Sequence, residues 1–164
     1  MIRATTESDH DAILEVVRDA FAHDGRDGQE EIDIVVRSWG LADRVAIDLV
    51  AVEEDVVGQV LGAMGKLGGR DVLAVAPLAV APTHHGRGIG SALIRELLRL
   101  AELSGEPMVL LLGSPAYYGR FGFEPAGPLG IIYPPVGDNP AFQARRLENY
   151  DPSLRGDFVY CWEL

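Results

Sequence analysis

The 164-residue sequence predicts an α/β (α+β) fold, a single mixed sheet with helices on both faces. Three observations carry that expectation. Two early stretches repeat apolar residues at helical spacing, a long β-branched region follows, and a strand, a helix and a second strand then succeed one another, which implies a right-handed parallel pair. No repeat, low-complexity tract or linker divides the chain, so residues 1–164 are expected to form one domain. A chain of this length buries about two thirds of the surface its unfolded form exposes and needs neither a disulfide nor a structural metal.

The elements are justified in order. Ile2 to Ala4 suits a short strand, and Thr6 and Ser8, with carboxylates three residues on at Asp9 and Asp11, are cap candidates. Ile13, Val16, Val17, Ala20 and Phe21 then recur as one helix face. HDGRDGQ breaks the pattern, and Glu30 to Trp39 resumes it with Ile32, Val35, Val36 and Trp39 on one side. VAIDLVAVEEDVVGQVLGAM reads as a hairpin turning at Glu53, Glu54 and Asp55. DVLAVAPLAVAP is a buried-looking strand whose Pro77 has no N–H for a neighbour, so a bulge and a parting of strands are expected there.

From about Gly88 to Leu103 the helical period returns, with Ile89, Leu93, Leu97 and Leu100 inward, stopped by Gly105 and Pro107. MVLLLGS is a wholly apolar strand of the kind covered on both faces. PAYYGRFGFEPA suggests a helical turn leading into a strand, GPLGIIYPPVGDNP a loop, and AFQARRL and DFVYCWEL two last strands.

Charge and composition exclude several function classes. With 25 acidic against 14 basic side chains, a formal net charge of -11, the average surface repels nucleic acid and anionic membranes. The longest apolar run, Val72 to Ala81, carries Pro77 and falls well short of the ~20 residues that cross a bilayer. One cysteine, Cys161, cannot form an intrachain disulfide, and MIRATTESDH has no leader pattern, so a cytoplasmic setting is expected. Cys161 reads as a core residue, and the adjacent His84 and His85, without acids or thiols at ligand spacing, make a poor metal site.

The chemistry concentrates in APTHHGRGIGSALI, residues Ala81 to Ile94, where a strand runs through a glycine-rich loop into a helix N-terminus. The first amides of a helix have no intrahelical partner, and glycine lets an anion approach the backbone, so the amides of Arg87, Gly88, Ile89 and Gly90 form a phosphate cradle. The Ser91 hydroxyl and the Arg87 guanidinium are further donors. A Walker loop needs Gly-Lys-Ser/Thr, which is absent, and a dinucleotide loop needs G-x-G-x-x-G with a later acid, whereas here the spacing is G-x-G-x-G and MVLLLGS follows.

V-x-P-x-x-H-G-R-G-I-G, from Val80 to Gly90, resembles the acetyl-coenzyme A loop of the GNAT superfamily of N-acetyltransferases, and Y-G-R-F-G-F, from Tyr118 to Phe123, resembles that superfamily's Tyr-x-Lys/Arg-x-Gly-Phe segment. LLGSPAYYGRFGF is similar to a run found in a bacterial subgroup of predicted N-acetyltransferases. His85 stands where the pattern has Gln or Arg, and Ser114 where the subgroup often has an acid.

The resemblance implies a mostly antiparallel sheet with one splayed parallel pair. Acetyl-coenzyme A is then the cosubstrate, with no metal, its pantetheine against the backbone of Leu78 and Val80 and its diphosphate on His85, Arg87, Gly88, Ile89, Gly90 and Ser91. Tyr118 is implied as the acid that protonates the departing thiolate, with Tyr117 beside it as a packing partner. The implied acceptor is an amine of a small molecule or protein, and a homodimer is compatible with the family. The acidic stretch HDGRDGQEEID either attracts a cationic amine or is a solvated charge run. Glu30, Glu31, Asp71 and a water chain stay open as the base. The absence of an evident base motivates a second reading, a non-catalytic acyl-coenzyme A sensor of the same fold.

Overall fold

A computed structural model describes residues 1–164. In chain order the elements are β1 Ile2–Ala4, α1 His10–His23, α2 Gln29–Trp39, β2 Val45–Val52, β3 Val56–Leu67, β4 Arg70–Val80, α3 Ile89–Leu103, β5 Met108–Leu112, α4 Pro115–Tyr118, β6 Glu124–Pro125, β7 Ile131–Ile132, β8 Phe142–Arg146 and β9 Gly156–Val159. The strands lie in the order β1-β2-β3-β4-β5-β8-β6, and β9 pairs with the far end of β3 at Lys66 and Leu67. Along that path every pair is antiparallel except β4–β5, the pair joined by the α3 crossover. The two-residue β7, which falls in the stretch read as loop, runs parallel to β9.

Helices cover both faces, as the periodicity predicts. On one face α3 buries Leu93, Ile94, Leu97 and Ala101 against Ile47, Leu49, Val60, Leu73 and Val75. Leu93, Leu97 and Ala101 form one row at four-residue spacing, which leaves Leu100, expected inward, at its half-buried edge. On the other face α1 and α2 bury Ile13, Val16, Val17, Ile32 and Val35 against Val50 and Ala79. Val36 lies outside this row and is exposed, while Ser38 is buried and donates its hydroxyl to the Ile34 carbonyl at 2.7 Å. Stacking of His10 on Trp39, with rings 3.6 Å apart, ties the two helices together, and the Trp39 indole N–H donates to Asp48 of β2 at 3.0 Å.

Two irregularities open the sheet. Val60 pairs with Leu78 and Gly62 with Val75, so the single residue Leu61 of β3 lies opposite two of β4, Ala76 and Pro77. Beyond the bulge β4 and β5 part. Their ladder consists of Leu73↔Val109 and Ala74↔Leu110 alone, although β4 continues to Val80 and β5 to Leu112.

The splayed backbone is held by two buried side-chain amides, Gln59 and Gln143. Gln59 of β3 donates to the Pro77 carbonyl at 3.1 Å, and Gln143 of β8 donates to the Gly113 carbonyl at 3.0 Å. Each thus supplies a hydrogen bond on one side of the opening, where a carbonyl parted from its strand partner needs one.

Candidate active site

The opening between β4 and β5 borders a cleft made of two adjoining cavities, its two ends. At the first end a cavity of about 450 Å³ is lined by Leu78, Ala79 and Val80 of β4, His84, His85, Gly86 and Gly88 of the loop, and Ile89, Gly90 and Ser91 of α3. Gly88 caps α3 at φ 78° with no side-chain capping bond, and the first turn of the helix carries no acid. The first ladder bond of the helix is Ala92 N–H to the Gly88 carbonyl at 3.0 Å, so the amides before it lack helical partners. Gly86 and Gly88 both adopt left-handed conformations with open space where a Cβ would project. That combination of free N–H groups, dipole and missing side chains fits a diphosphate.

Not every loop residue points into that end. His85 turns back, its ring nitrogen donating to the Val80 carbonyl at 2.7 Å, and His23 packs edge-on against it. Arg87 is exposed and leans toward Glu53 at 3.9 Å, outside the residues that line the cavity, and His84 lies 3.0 Å from the same carboxylate. A different cation lines the cradle. Arg120, the arginine of YGRFGF, lies over the Tyr117 ring at 4.5 Å and donates to the Tyr117 carbonyl at 3.2 Å. The sequence reading gave that arginine no role.

At the second end a larger cavity of about 660 Å³ lies between Val75–Leu78 of β4 and Leu111–Ser114 at the end of β5. Phe21, Asp24, Leu78 and Tyr117 line both cavities and join them. A Cβ on Gly90 would stand 2.7 Å from the Tyr117 hydroxyl, so Tyr117, expected only to pack, also reaches the helix N-terminus. Tyr118 lies against the backbone of Gly113 and edge-on to Tyr117 and Phe123. Burial pushes its phenol above the ordinary value of 10, with a smaller contribution from Tyr117 and none from a hydrogen bond. Every fully buried side-chain oxygen has a partner, so the unbonded Tyr118 oxygen keeps some accessible surface, and Tyr118 lines the second cavity.

Ser114, at the position where an acid was considered, N-caps α4 by accepting from Tyr117 N–H at 3.3 Å, and so serves the local turn. Of the carboxylates left open as base, Glu30 and Glu31 line the second cavity. Asp71 is at the opposite end of β4, bound by Lys66 at 2.7 Å and Arg44 at 3.0 Å, and those bonds hold its carboxyl below the usual range. That removes Asp71 from the candidates, because a carboxylate ion-paired far from the cleft cannot reach an acceptor there. Tyr133, from the loop GPLGIIYPPVGDNP expected as the other wall of the acceptor site, lines the cavity together with Tyr160, Trp162 and Glu163, which carry no local sequence signal. Cys161 is buried near Ser38, and burial pushes its thiol up.

Comparison with known proteins agrees with this architecture. Residues 1–126 match the family model described as an acetyltransferase (GNAT) domain. The chain is 34% identical over 116 residues to the uncharacterized N-acetyltransferase YhbS of Escherichia coli, covering 68% of each. It is 37% identical over 139 residues to the uncharacterized N-acetyltransferase YjhQ of the same species, covering 79% of this chain and 73% of that one. Among solved structures, YhbS in complex with CoA superposes with a TM-score of 0.84 at 28% identity, over 98% of this chain and 88% of that one. A GNAT family acetyltransferase from Brucella melitensis in complex with acetyl-CoA gives 0.79 at 29% identity, over 98% and 94%. With three quarters of its length matched and its parallel pair splayed over a glycine cradle, the chain belongs to the GNAT acetyltransferase family.

Proposed function

We propose that the whole chain, residues 1–164, acts as one acetyl-CoA-dependent N-acetyltransferase domain for a primary amine, by direct attack in a ternary complex. The observation that carries this reading is the pair of adjoining cavities, one at the uncapped N-terminus of α3 and one between the splayed strands, with Tyr118 in the wall of the second. Two relatives of similar fold, solved with acetyl-CoA and CoA, support it.

In this reading the amides of Gly88, Ile89 and Gly90, with Ser91 and Arg120 beside them, would hold the diphosphate, and the β4 edge at Leu78 and Val80 the pantetheine. Bound acetyl-CoA supplies a thioester: a C–N bond forms to the amine, the C–S bond breaks, the amine loses one proton and the thiolate takes one. Tyr118 stays protonated throughout the neutral range, since burial disfavours its charged form, and is therefore ready to donate to a departing sulfur. Glu30 and Glu31, on the acceptor side, are placed to take the proton of the incoming ammonium directly or through water. No helix is long and apolar enough to cross a membrane.

The test is thiol release from acetyl-CoA across a broad amine panel, paired with a thermal shift. Acetyl-CoA at 100 times its Kd should stabilise the fold by about 2.7 kcal/mol. No stabilisation at millimolar acetyl-CoA would overturn the reading, and binding without thiol release would leave the acyl-CoA sensor as the better one.

A further inference from the structure

The second end of the cleft holds polar groups that the acetyl donor does not need. Tyr160 is 4% exposed, with its ring stacked on Trp162 at 4.4 Å and edge-on to Tyr133 at 5.0 Å. The turn after it is closed through its backbone: Tyr160 N–H donates to Glu163 at 3.0 Å, Glu163 N–H donates to the Tyr160 carbonyl at 3.0 Å, and the phenol makes no capping bond. Because every fully buried side-chain oxygen in the chain has a partner, the unbonded Tyr160 hydroxyl keeps some accessible surface, and Tyr160 lines the second cavity. It is a buried phenol without a protein partner in the cavity wall.

The electrostatics around it have one sign. Glu163 is fixed from two sides, by the Tyr133 hydroxyl at 2.8 Å and by Tyr160 N–H, and it keeps lone pairs for a further donor. Desolvation, the bond to Glu163 and the charge of Glu30 hold the Tyr133 phenol above its ordinary range, so Glu30 acts on the same spot. Asp24 and Glu31 add carboxylates, and the only guanidinium in the wall, Arg26, is already paired with Glu31 at 3.1 Å. Such a wall disfavours anionic and favours cationic ligands, and the indole and phenol faces add cation–π attraction.

We propose that the acceptor is a small di- or polyamine, one amine presented toward Tyr118 and a second ammonium held by the Glu163 carboxylate, the Tyr160 hydroxyl and the Trp162 face. The proposal rests on the acetyltransferase reading above. A cavity of about 660 Å³ suits a small molecule. Because the Glu163 carboxylate stays solvent-exposed, its bond to the second ammonium discriminates by about fivefold.

The experiment compares putrescine, cadaverine and spermidine with butylamine and pentylamine in the thiol-release assay, and titrates spermidine into the CoA-saturated protein by calorimetry. The diamines should exceed the matched monoamines in kcat/KM by that factor. Tyr160→Phe and Glu163→Gln, which keep the ring packing and the size of the side chain, should erase most of the preference and the calorimetric signal, with the KM for acetyl-CoA unchanged. Asp138→Asn, an exposed carboxylate outside the cavity, should erase neither. Monoamines or a lysine peptide turned over as well as the diamines, or a preference that survives Glu163→Gln, would overturn the proposal and leave the acetyltransferase reading standing. Acetyl-CoA binding with no thiol release from any amine would overturn both.

Discussion

The two ends of the cleft are built in opposite ways. The donor end comes largely from one contiguous stretch, Leu78 to Ser91, in which a strand edge, a glycine loop and a helix N-terminus follow one another. Its recognition groups are mainly backbone amides, and its added cation, Arg120, is only one helical turn past Tyr117. The end proposed for the acceptor is assembled from α1 and its following loop, the start of α2, Val75–Leu78 of β4, the end of β5, Tyr133 and the segment after β9. Its groups are carboxylates and aromatic rings. The contrast teaches that a common donor can be held by a local backbone device, whereas acceptor choice is free to vary with side chains from distant segments.

Removing the proposed proton donor at the second end should have the largest effect. Tyr118→Phe keeps the packing against Gly113 and Phe123 while removing the proton donor, and kcat should fall about 10²- to 10⁴-fold in steady-state assays with the Kd for acetyl-CoA nearly unchanged. At the donor end, Gly88→Val forces a β-branched residue into φ 78° and puts methyls where the cradle is open. Calorimetry should show acetyl-CoA binding weakened by roughly ten- to a hundredfold, with diamine binding retained; equal loss at both ends would break the division proposed here.

At the seam, Gln59→Leu leaves the Pro77 carbonyl without its 3.1 Å bond, at a cost of about 1–3 kcal/mol. Thermal melts should fall by about 2–4 °C per kcal/mol, and the KM for acetyl-CoA should rise as the edge of β4 shifts.

The smallest effect on the cleft is expected at Asp9, before α1. Arg3 at 2.7 Å and the Thr6 amide at 2.8 Å hold its carboxyl well below the usual range. A depressed folded value means that Asp9 stabilises the fold above the unfolded value near 4, and that this is lost as pH falls toward the folded value. Tm should therefore drop on acidification, Asp9→Asn should flatten part of that slope, and both ligand affinities at neutral pH should stay as they are.

Much of this molecule was legible before its structure. The hairpin, the α3 crossover, the bulge at Pro77 and the glycine cradle all follow from short-range signals: period, β-branching, a missing N–H, and helix amides without partners. Leu78, Val80, His85, Gly88, Ile89, Gly90 and Ser91 do line one cavity, while Arg87 turns to Glu53 instead. What escaped was set by distant partners. Gln59 and Gln143 are ordinary polar letters in their strands, and nothing nearby shows that each meets a carbonyl at a splayed edge. Asp71 was a plausible base until Lys66 and Arg44 were seen to hold it at the other end of β4.

By itself, then, the sequence determined the sheet, its crossover and the donor cradle, because each depends on residues within a few positions of one another and on backbone groups that any such stretch exposes. Only the tertiary structure decided the acceptor end. Glu30, Tyr133, Tyr160 and Glu163 are separated by up to 133 positions. Their meeting in one cavity depends on how α2 and the tail of β9 pack across the parted strands, and no local pattern carries that information.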